Sequence, residues 1–363
     1  MALDLSQAGV MTPFWPGTNL TSEHDNQCYG NVTLCLNNDI LCTLSTCDLT
    51  LAHFTYIPNL GGNAFLAALF GVCALVQLGL GVRYKTWGFL IAAICGLALE
   101  VIGYAGRIMI HQNPFDKNNF LIYLVCLTIA PAFLSACIYL CLARIVVVYG
   151  EDISRFRPRF YTIVFCTCDF ISLLLQAIGG AIASIANDYA TSQMGIHIMI
   201  AGLSFQVFSL VLFIVLCGDF AMRVWHSPFH WDMTHKELFE SAVFKYFLGG
   251  LALSTLTITI RSCFRVAELS GGFHGSLANN QSTFMALEGA MIGIASVCFT
   301  SLHPGIGFRG TWADANFSFF RAKKRIVDAE TETELETKVP SSSTSEAFQN
   351  PNDLEIPGRQ STP

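Results

Sequence analysis

Seven runs of predominantly apolar residues, at 60–82, 88–110, 120–149, 160–186, 194–217, 241–263 and 283–303, constrain this chain more than any other feature. A hydrocarbon layer ~30 Å thick is crossed by about 20 helical residues. Lipid offers backbone N–H and C=O groups no outside partner, so each run must satisfy its own as a helix. The chain therefore reads as an all-α polytopic membrane protein with seven transmembrane helices. Composition agrees: 13% of the residues are charged and mean hydropathy is +0.50, whereas ordinary soluble domains carry about 25% charged residues. The third run holds Pro131, which predicts a kink there.

Lysine and arginine set the expected orientation. The segments after runs one, three, five and seven hold Arg83 and Lys85, then Arg155, Arg157 and Arg159, then Arg223 and Lys236, then Arg309, Arg321, Lys323, Lys324 and Arg325. Residues 1–57 contain neither residue type, and the loop after run two offers Lys117. The N-terminus is expected outside and the C-terminus in the cytosol. Residues 1–57 then form an extracellular tail, 58–310 the seven-helix domain, and 311–363 a cytosolic, largely disordered tail. The sequons at Asn19, Asn31 and Asn280 fall on the outer side and are candidate glycosylation sites, whereas Asn316 falls inside. Residues 1–57 show no basic segment followed by an apolar one, so the first span is expected to translocate the tail unaided. Cys28, Cys35, Cys42 and Cys47 read as a small external disulfide framework with three pairings open. The basic group at 321–325 is placed to lie on the anionic inner leaflet. The acidic, then Ser-, Thr- and Pro-rich stretch beyond it is a candidate for phosphorylation.

Charges inside the runs are costly, at least ~2.5 kcal/mol each near the bilayer centre on insertion scales, so their spacing is informative. Arg261, Arg265 and Glu268 stand at i, i+4 and i+7 and share one helix face. Glu100, Gly103, Tyr104 and Arg107 do the same in run two, with Glu100 roughly 18–20 Å along the helix from Trp87. Run four carries Asp169, Ser172, Gln176 and Gly180 as a stripe. Run five adds Gly195, Gly202, Gln206 and Ser209, and run seven adds Glu288 and Gly289. Glycines at such spacing allow close helix approach. Glu100, Asp169, Glu268 and Glu288 are expected to face Arg107, Arg261 and Arg265 in one polar chamber. That chamber either fixes helix register through buried ion pairs or holds the headgroup of an amphiphile. Carboxylates would take an amine, and arginines a phosphate or carboxylate.

Other chemistries lack their residues. His226 and His230 in the loop after run five are spaced for a metal only if helical, and flank Trp225 and Trp231 as an interfacial segment would. No histidine set at bundle depth provides a metal site of the kind a zinc hydrolase needs. The chain has no Walker-type glycine loop and no basic block for nucleic acid, and calls for no cofactor.

Four stretches resemble signatures of the fungal lipid-translocating exporter family, RTA-like seven-span proteins that include a yeast exporter of sphingoid long-chain bases. They are E-x-x-G-Y-x-x-R at Glu100–Arg107, D-x-x-S-x-x-x-Q-x-x-G-G at Asp169–Gly180, G-x-x-I-x-x-x-G-L-x-x-Q at Gly195–Gln206 and R-x-x-F-R-x-x-E-x-x-x-G at Arg261–Gly272. The resemblance spans about residues 60–310. It implies an outside N-terminus and a role in moving, sensing or resisting lipid-like molecules. By the same resemblance, Glu100, Gly103, Tyr104, Arg107, Asp169, Gln176, Gly202, Gln206, Arg261, Arg265 and Glu268 are family positions. Glu288 is added from its placement alone. The expected function is a plasma-membrane transporter of sphingoid-base-like or phospholipid-like amphiphiles rather than an enzyme. The alternative is a seven-span receptor or stress sensor signalling through the cytosolic tail.

Overall fold

In the computed structural model the described residues are 54, 56–150, 153–185, 188–226, 236–271, 277, 279–309 and 312. Asn19, Asn31, the four tail cysteines and the basic group at 321–325 lie outside them. All seven apolar runs are helices: α1 Leu60–Arg83, α2 Trp87–Gln112, α3 Lys117–Tyr149, α4 Pro158–Ile185, α5 Tyr189–His226, α6 Ala242–Ser270 and α7 Gln281–Ser301. Each is long and apolar enough to cross a membrane.

The helix ends follow local chemistry. Asn59 caps α1 by accepting from Gly62 N–H at 2.9 Å, and Asp116 caps α3 by accepting from Asn118 N–H at 2.9 Å. Asp188 accepts from the Thr191 N–H and hydroxyl at 2.8 and 2.6 Å, which caps α5 and holds the Asp188 carboxyl below its ordinary range. Asn280 caps α7 through Oδ1, accepting from Thr283 N–H at 3.2 Å, so its Nδ2, the glycan-bearing atom of a sequon, is not the capping atom. Helix α5 runs for 38 residues, about 57 Å, well past its apolar run. Its extension is polar and paired: Asp219 accepts from Arg223 Nε at 2.9 Å and from Arg155 Nη2 at 3.3 Å. A hydropathy window sees only the apolar part of such a helix.

Consecutive helices pack against one another, and α7 returns to both α6 and α1, closing the bundle, with α3 also touching α6. The tightest seam joins α4 and α5. A methyl on Gly195 would lie 2.5 Å from Ala183 N and 2.7 Å from Gly179 O; one on Gly202 would lie 2.9 Å from Ser172 O and 3.0 Å from Gln176 Cγ. Backbone meets backbone here, as small-residue stripes permit. The seam fixes a register in which Gly195 faces Ala183 and, seven residues on, Gly202 faces Gln176.

The segment after α7 folds back on the end of the bundle where the basic residues gather. His303 accepts from Gly305 N–H at 3.0 Å through Nδ1, starting the short helix Pro304–Gly307, and its ring meets Phe89 edge-on at 5.4 Å. Phe308 and Trp312 are buried in the same aromatic cluster. Arg144 lies 3.5 Å above the Trp312 ring and donates to the Trp312 carbonyl.

Burial pushes the His303 imidazole down to about 4. The fold therefore favours the neutral ring. That contribution is complete above the ordinary value near 6.5 and is lost as pH falls toward about 4, with a limiting slope of about 1.4 kcal/mol per pH unit. His303→Asn keeps an oxygen that can cap Gly305, so it should lose less stability than the parent between about pH 7 and 5. The thermal unfolding midpoint in detergent reads this directly; parallel acid curves would place the sensitivity elsewhere.

Candidate functional site

The charged face of α6 meets α7 and α3. Arg261 Nη2 forms a buried ion pair with Glu288 Oε1, and Arg265 Nη1 binds Glu268 Oε2 at 2.5 Å, with Glu288 Oε2 at 4.0 Å from Arg265 Nε. All four side chains are buried. Glu100 of α2 is 2% exposed and lies in the field of Arg261 and Glu288, yet its carboxylate makes no ion pair among the described residues. Two guanidinium groups thus stand against three carboxylates. The lone proline of α3 is also part of this arrangement. Pro131 has no N–H, which leaves the carbonyl of Leu127, four residues earlier, without its helical donor. Arg261 Nη2 supplies that donor at 2.6 Å. The helix runs continuously through Pro131, and a side chain from α6 completes the ladder there.

Arg107 does not meet a carboxylate, contrary to the expected single chamber. It sits among rings, with its guanidinium carbon 3.8 Å from the centroid of Phe284, 4.8 Å from Tyr123 and 5.5 Å from Phe54. It donates to Asn63 Oδ1 at 3.2 Å and to Tyr56 Oη at 3.0 Å. Ring faces and neutral oxygens stabilise the cation in place of a counter-charge. Tyr104, one turn back, stacks on Phe70 at 5.6 Å, and its buried hydroxyl has no hydrogen-bond partner among the described residues.

Asp169 also stands apart from the arginines. It accepts from Tyr139 Oη at 3.0 Å, and its other oxygen, Oδ1, has no hydrogen-bond partner among the described residues. On the same face, Ser172 Oγ accepts from Gln176 Nε2 at 3.3 Å, and Gln176 Nε2 also donates to Gln206 Oε1 at 3.1 Å. This second group is held by α3, α4 and α5. Leu127, which meets Arg261, and Tyr139, which meets Asp169, are separated along α3 by about 18 Å. The charged and amide residues of the predicted stripes are all buried, but Arg107 stands in its ring cage and the rest form two groups at different depths rather than one. At the α4–α5 seam Gln176 meets Gln206, while Asp169 meets Tyr139 of α3.

Between α3, α5 and α6 lies an apolar cleft of about 800 Å³, lined among others by Ile138, Leu142, Phe213, Cys217, Leu251 and Thr255. Its α6 wall ends at Leu256, five residues and about 8 Å before Arg261. Its α5 wall includes Phe213, whose ring packs on Tyr139 at 4.7 Å, one ring away from Asp169. The cleft is long and greasy, with a polar group beyond each of these walls, a division that suits an amphiphile.

Two features of this region leave no mark in helical spacing. Glu288 lies in a π-helical turn, Met285–Ala290, inside α7; such turns shift the side chains that follow and recur at functional sites. A methyl on Gly289 in that turn would lie 3.0 Å from Tyr104 Oη, so α2 and α7 touch there. The other is the ring cage of Arg107, to which Phe54 and Tyr56 come from ahead of the first span. No group of three or more His, Cys, Asp or Glu converges on a metal position among the described residues.

The family described as "RTA1 like protein" matches residues 93–311. The chain belongs to the RTA1-like family. The match encloses both polar groups and the cleft. Among relatives, the sphingoid long-chain base transporter RSB1 of Saccharomyces cerevisiae is 34% identical over 283 residues, covering 70% of this chain and 74% of its own. The protoporphyrin uptake protein 1 of the same species is 29% identical over 207 residues, covering 56% and 65%. Protein RTA1 is 26% identical over 264 residues, covering 69% and 80%. No solved structure matches the chain. RTA1-like membership and seven spans make this a multi-pass membrane protein with relatives named as transporters.

Proposed function

We propose that this protein moves amphiphilic lipids with a cationic head, of the sphingoid-base class, across the plasma membrane, and so protects against toxic lipid-like compounds. One observation carries the reading: Glu100 and Asp169 are buried carboxylates with no ion pair among the described residues, while Glu268 and Glu288 are held by Arg265 and Arg261. A buried carboxylate without a cation is strongly disfavoured, so it favours a cationic guest. The apolar cleft offers a place for the hydrocarbon chain beside them. The relative named a sphingoid long-chain base transporter supports the same ligand class. Tyr104, Gln176 and Gln206 supply neutral polar contacts, and the arginines set the field or hold a phosphate on phospholipid-like guests.

In this reading the N-terminal tail is extracellular, with its four cysteines in disulfides and its sequons accessible. The basic C-terminal flank rests on the anionic inner leaflet. Purified protein reconstituted into vesicles should speed the movement of a labelled sphingoid base between leaflets. No acceleration over protein-free vesicles would defeat direct transport. A sensor reading has one observation in its favour: Trp312, at the start of the C-terminal tail, is locked beneath Arg144 of α3. Deleting residues 326–363 separates the two, since a transporter keeps its flux and a tail-signalling sensor loses its response.

A further inference from the structure

Asp169 is isolated from the other charges of the bundle. Along α4 from 162 to 180 no second charged residue occurs, and the other titratable groups are Cys166 and Cys168. On α3, the stretch from 124 to 143 offers Tyr139 and the thiols Cys126, Cys137 and Cys141; on α5, 198 to 218 offers Cys217. These are the helices packed closely against α4. Within this neutral shell Asp169 is 4% exposed, and one hydroxyl, from Tyr139, meets one of its oxygens. Oδ1 has no partner among the described residues, and neither do Ser209 Oγ and Gln176 Oε1. The register that sets Gly202 against Gln176 brings Ser209, seven residues on, level with Asp169. The pocket thus surrounds the carboxylate with neutral groups and leaves Oδ1 without a cation or a hydrogen bond among the described residues.

A carboxylate in such a place needs a positive charge at Oδ1. A proton and an ammonium head both meet that need, and one oxygen takes only one of them. We propose that Asp169 exchanges a proton for the cationic head of the lipid, so that binding of one expels the other. The exchange rests on the lipid transport proposed above and supplies its energy coupling. On one side of the membrane the head pairs with the carboxylate, and the O–H proton of Asp169 leaves to water. On the other side a proton from water reforms the O–H bond, and the head, with its charge intact, is released. Net charge is conserved at each exchange: one positive charge enters the pocket as one leaves. The Tyr139 ring, resting on Phe213 at 4.7 Å, connects the exchange to the cleft wall.

The test uses a permanently charged N-trimethyl long-chain base, which has no ammonium proton of its own to give up. It is mixed with weakly buffered full-length protein in detergent, and both bound base and released protons are measured. The parent protein should release close to one proton per base bound in acid conditions. Its affinity should fall as pH falls, by up to about tenfold per pH unit. Asp169→Asn should bind base with no proton release and no pH dependence. Tyr139→Phe removes the hydroxyl that favours the ionised form, so its affinity loss should begin at higher pH. This second variant keeps the test decisive if Asp169→Asn does not fold. Base binding by the parent without proton release, or an unshifted Tyr139→Phe profile, would overturn the exchange. Neither result requires flux, so proton release without transport in vesicles would defeat the transport reading and leave the exchange standing.

Discussion

Replacing Arg261 with Met should destabilise the protein by about 3–5 kcal/mol, the usual effect of breaking one side of a buried ion pair. The change leaves Glu288, 2% exposed, with Arg265 Nε at 4.0 Å as its nearest cation. It also removes the donor that reaches the Leu127 carbonyl, which Pro131 has left without a helical partner. Two buried acceptors lose their partner through one substitution. Surface expression and the thermal unfolding midpoint in detergent should both fall. The double variant Arg261→Met with Glu288→Met should recover much of the loss, since neutral, well-packed residues often replace a buried pair without cost. A double variant as unstable as the single one would mean that the Leu127 carbonyl, rather than the ion pair, sets the penalty. If the double variant is stable and still moves lipid, this pair belongs to the architecture and not to the transport site.

The second large effect is expected at the α4–α5 seam. Gly195→Ala places a methyl 2.5 Å from Ala183 N and 2.7 Å from Gly179 O, and Gly179→Ala places one 2.6 Å from both Gly195 O and Met199 N. These obstacles are backbone atoms, so no side-chain rotation relieves them and the helices must separate. Overpacking of this kind costs about 1–3 kcal/mol, and the backbone contact puts these positions at the upper end. Gly218 and Gly249 provide the controls, because a methyl there has nothing within 4 Å. Alanine at those sites should be neutral or stabilising, given a helix preference of about 1 kcal/mol over glycine. Thermal midpoints of the four variants test the contrast. Comparable gains at all four would show that helix propensity rather than seam geometry governs these glycines.

Much of the fold is legible in the amino-acid sequence. The seven runs announce seven helices because lipid excludes other ways of satisfying a backbone. The longer extent of α5 escapes notice for an identifiable reason: beyond the lipid, the Asp219–Arg223 pair carries the helix onward, and hydropathy is blind to it. Inside the bundle, spacing correctly marks Glu100, Tyr104 and Arg107, Asp169 and Gln176, and Arg261, Arg265 and Glu268 as sharing inward faces. A 3.6-residue period says which side of a helix a residue occupies.

What lies opposite that face depends on how the helices cross, and local sequence carries little of it. The backbone contacts at Gly179, Gly195 and Gly202 set the α4–α5 register, and Asp169 meets Tyr139 of α3 rather than an arginine. Arg107 takes three aromatic rings in place of the expected carboxylate, one of them from a residue preceding the first span. The π turn at Glu288 and the reach of Arg261 to the Leu127 carbonyl likewise arise from packing between distant segments. The sequence by itself determined that charge must be buried here and on which helix faces. Only the tertiary structure decided which charges are neutralised, and it left Glu100 and Asp169 without an ion pair among the described residues.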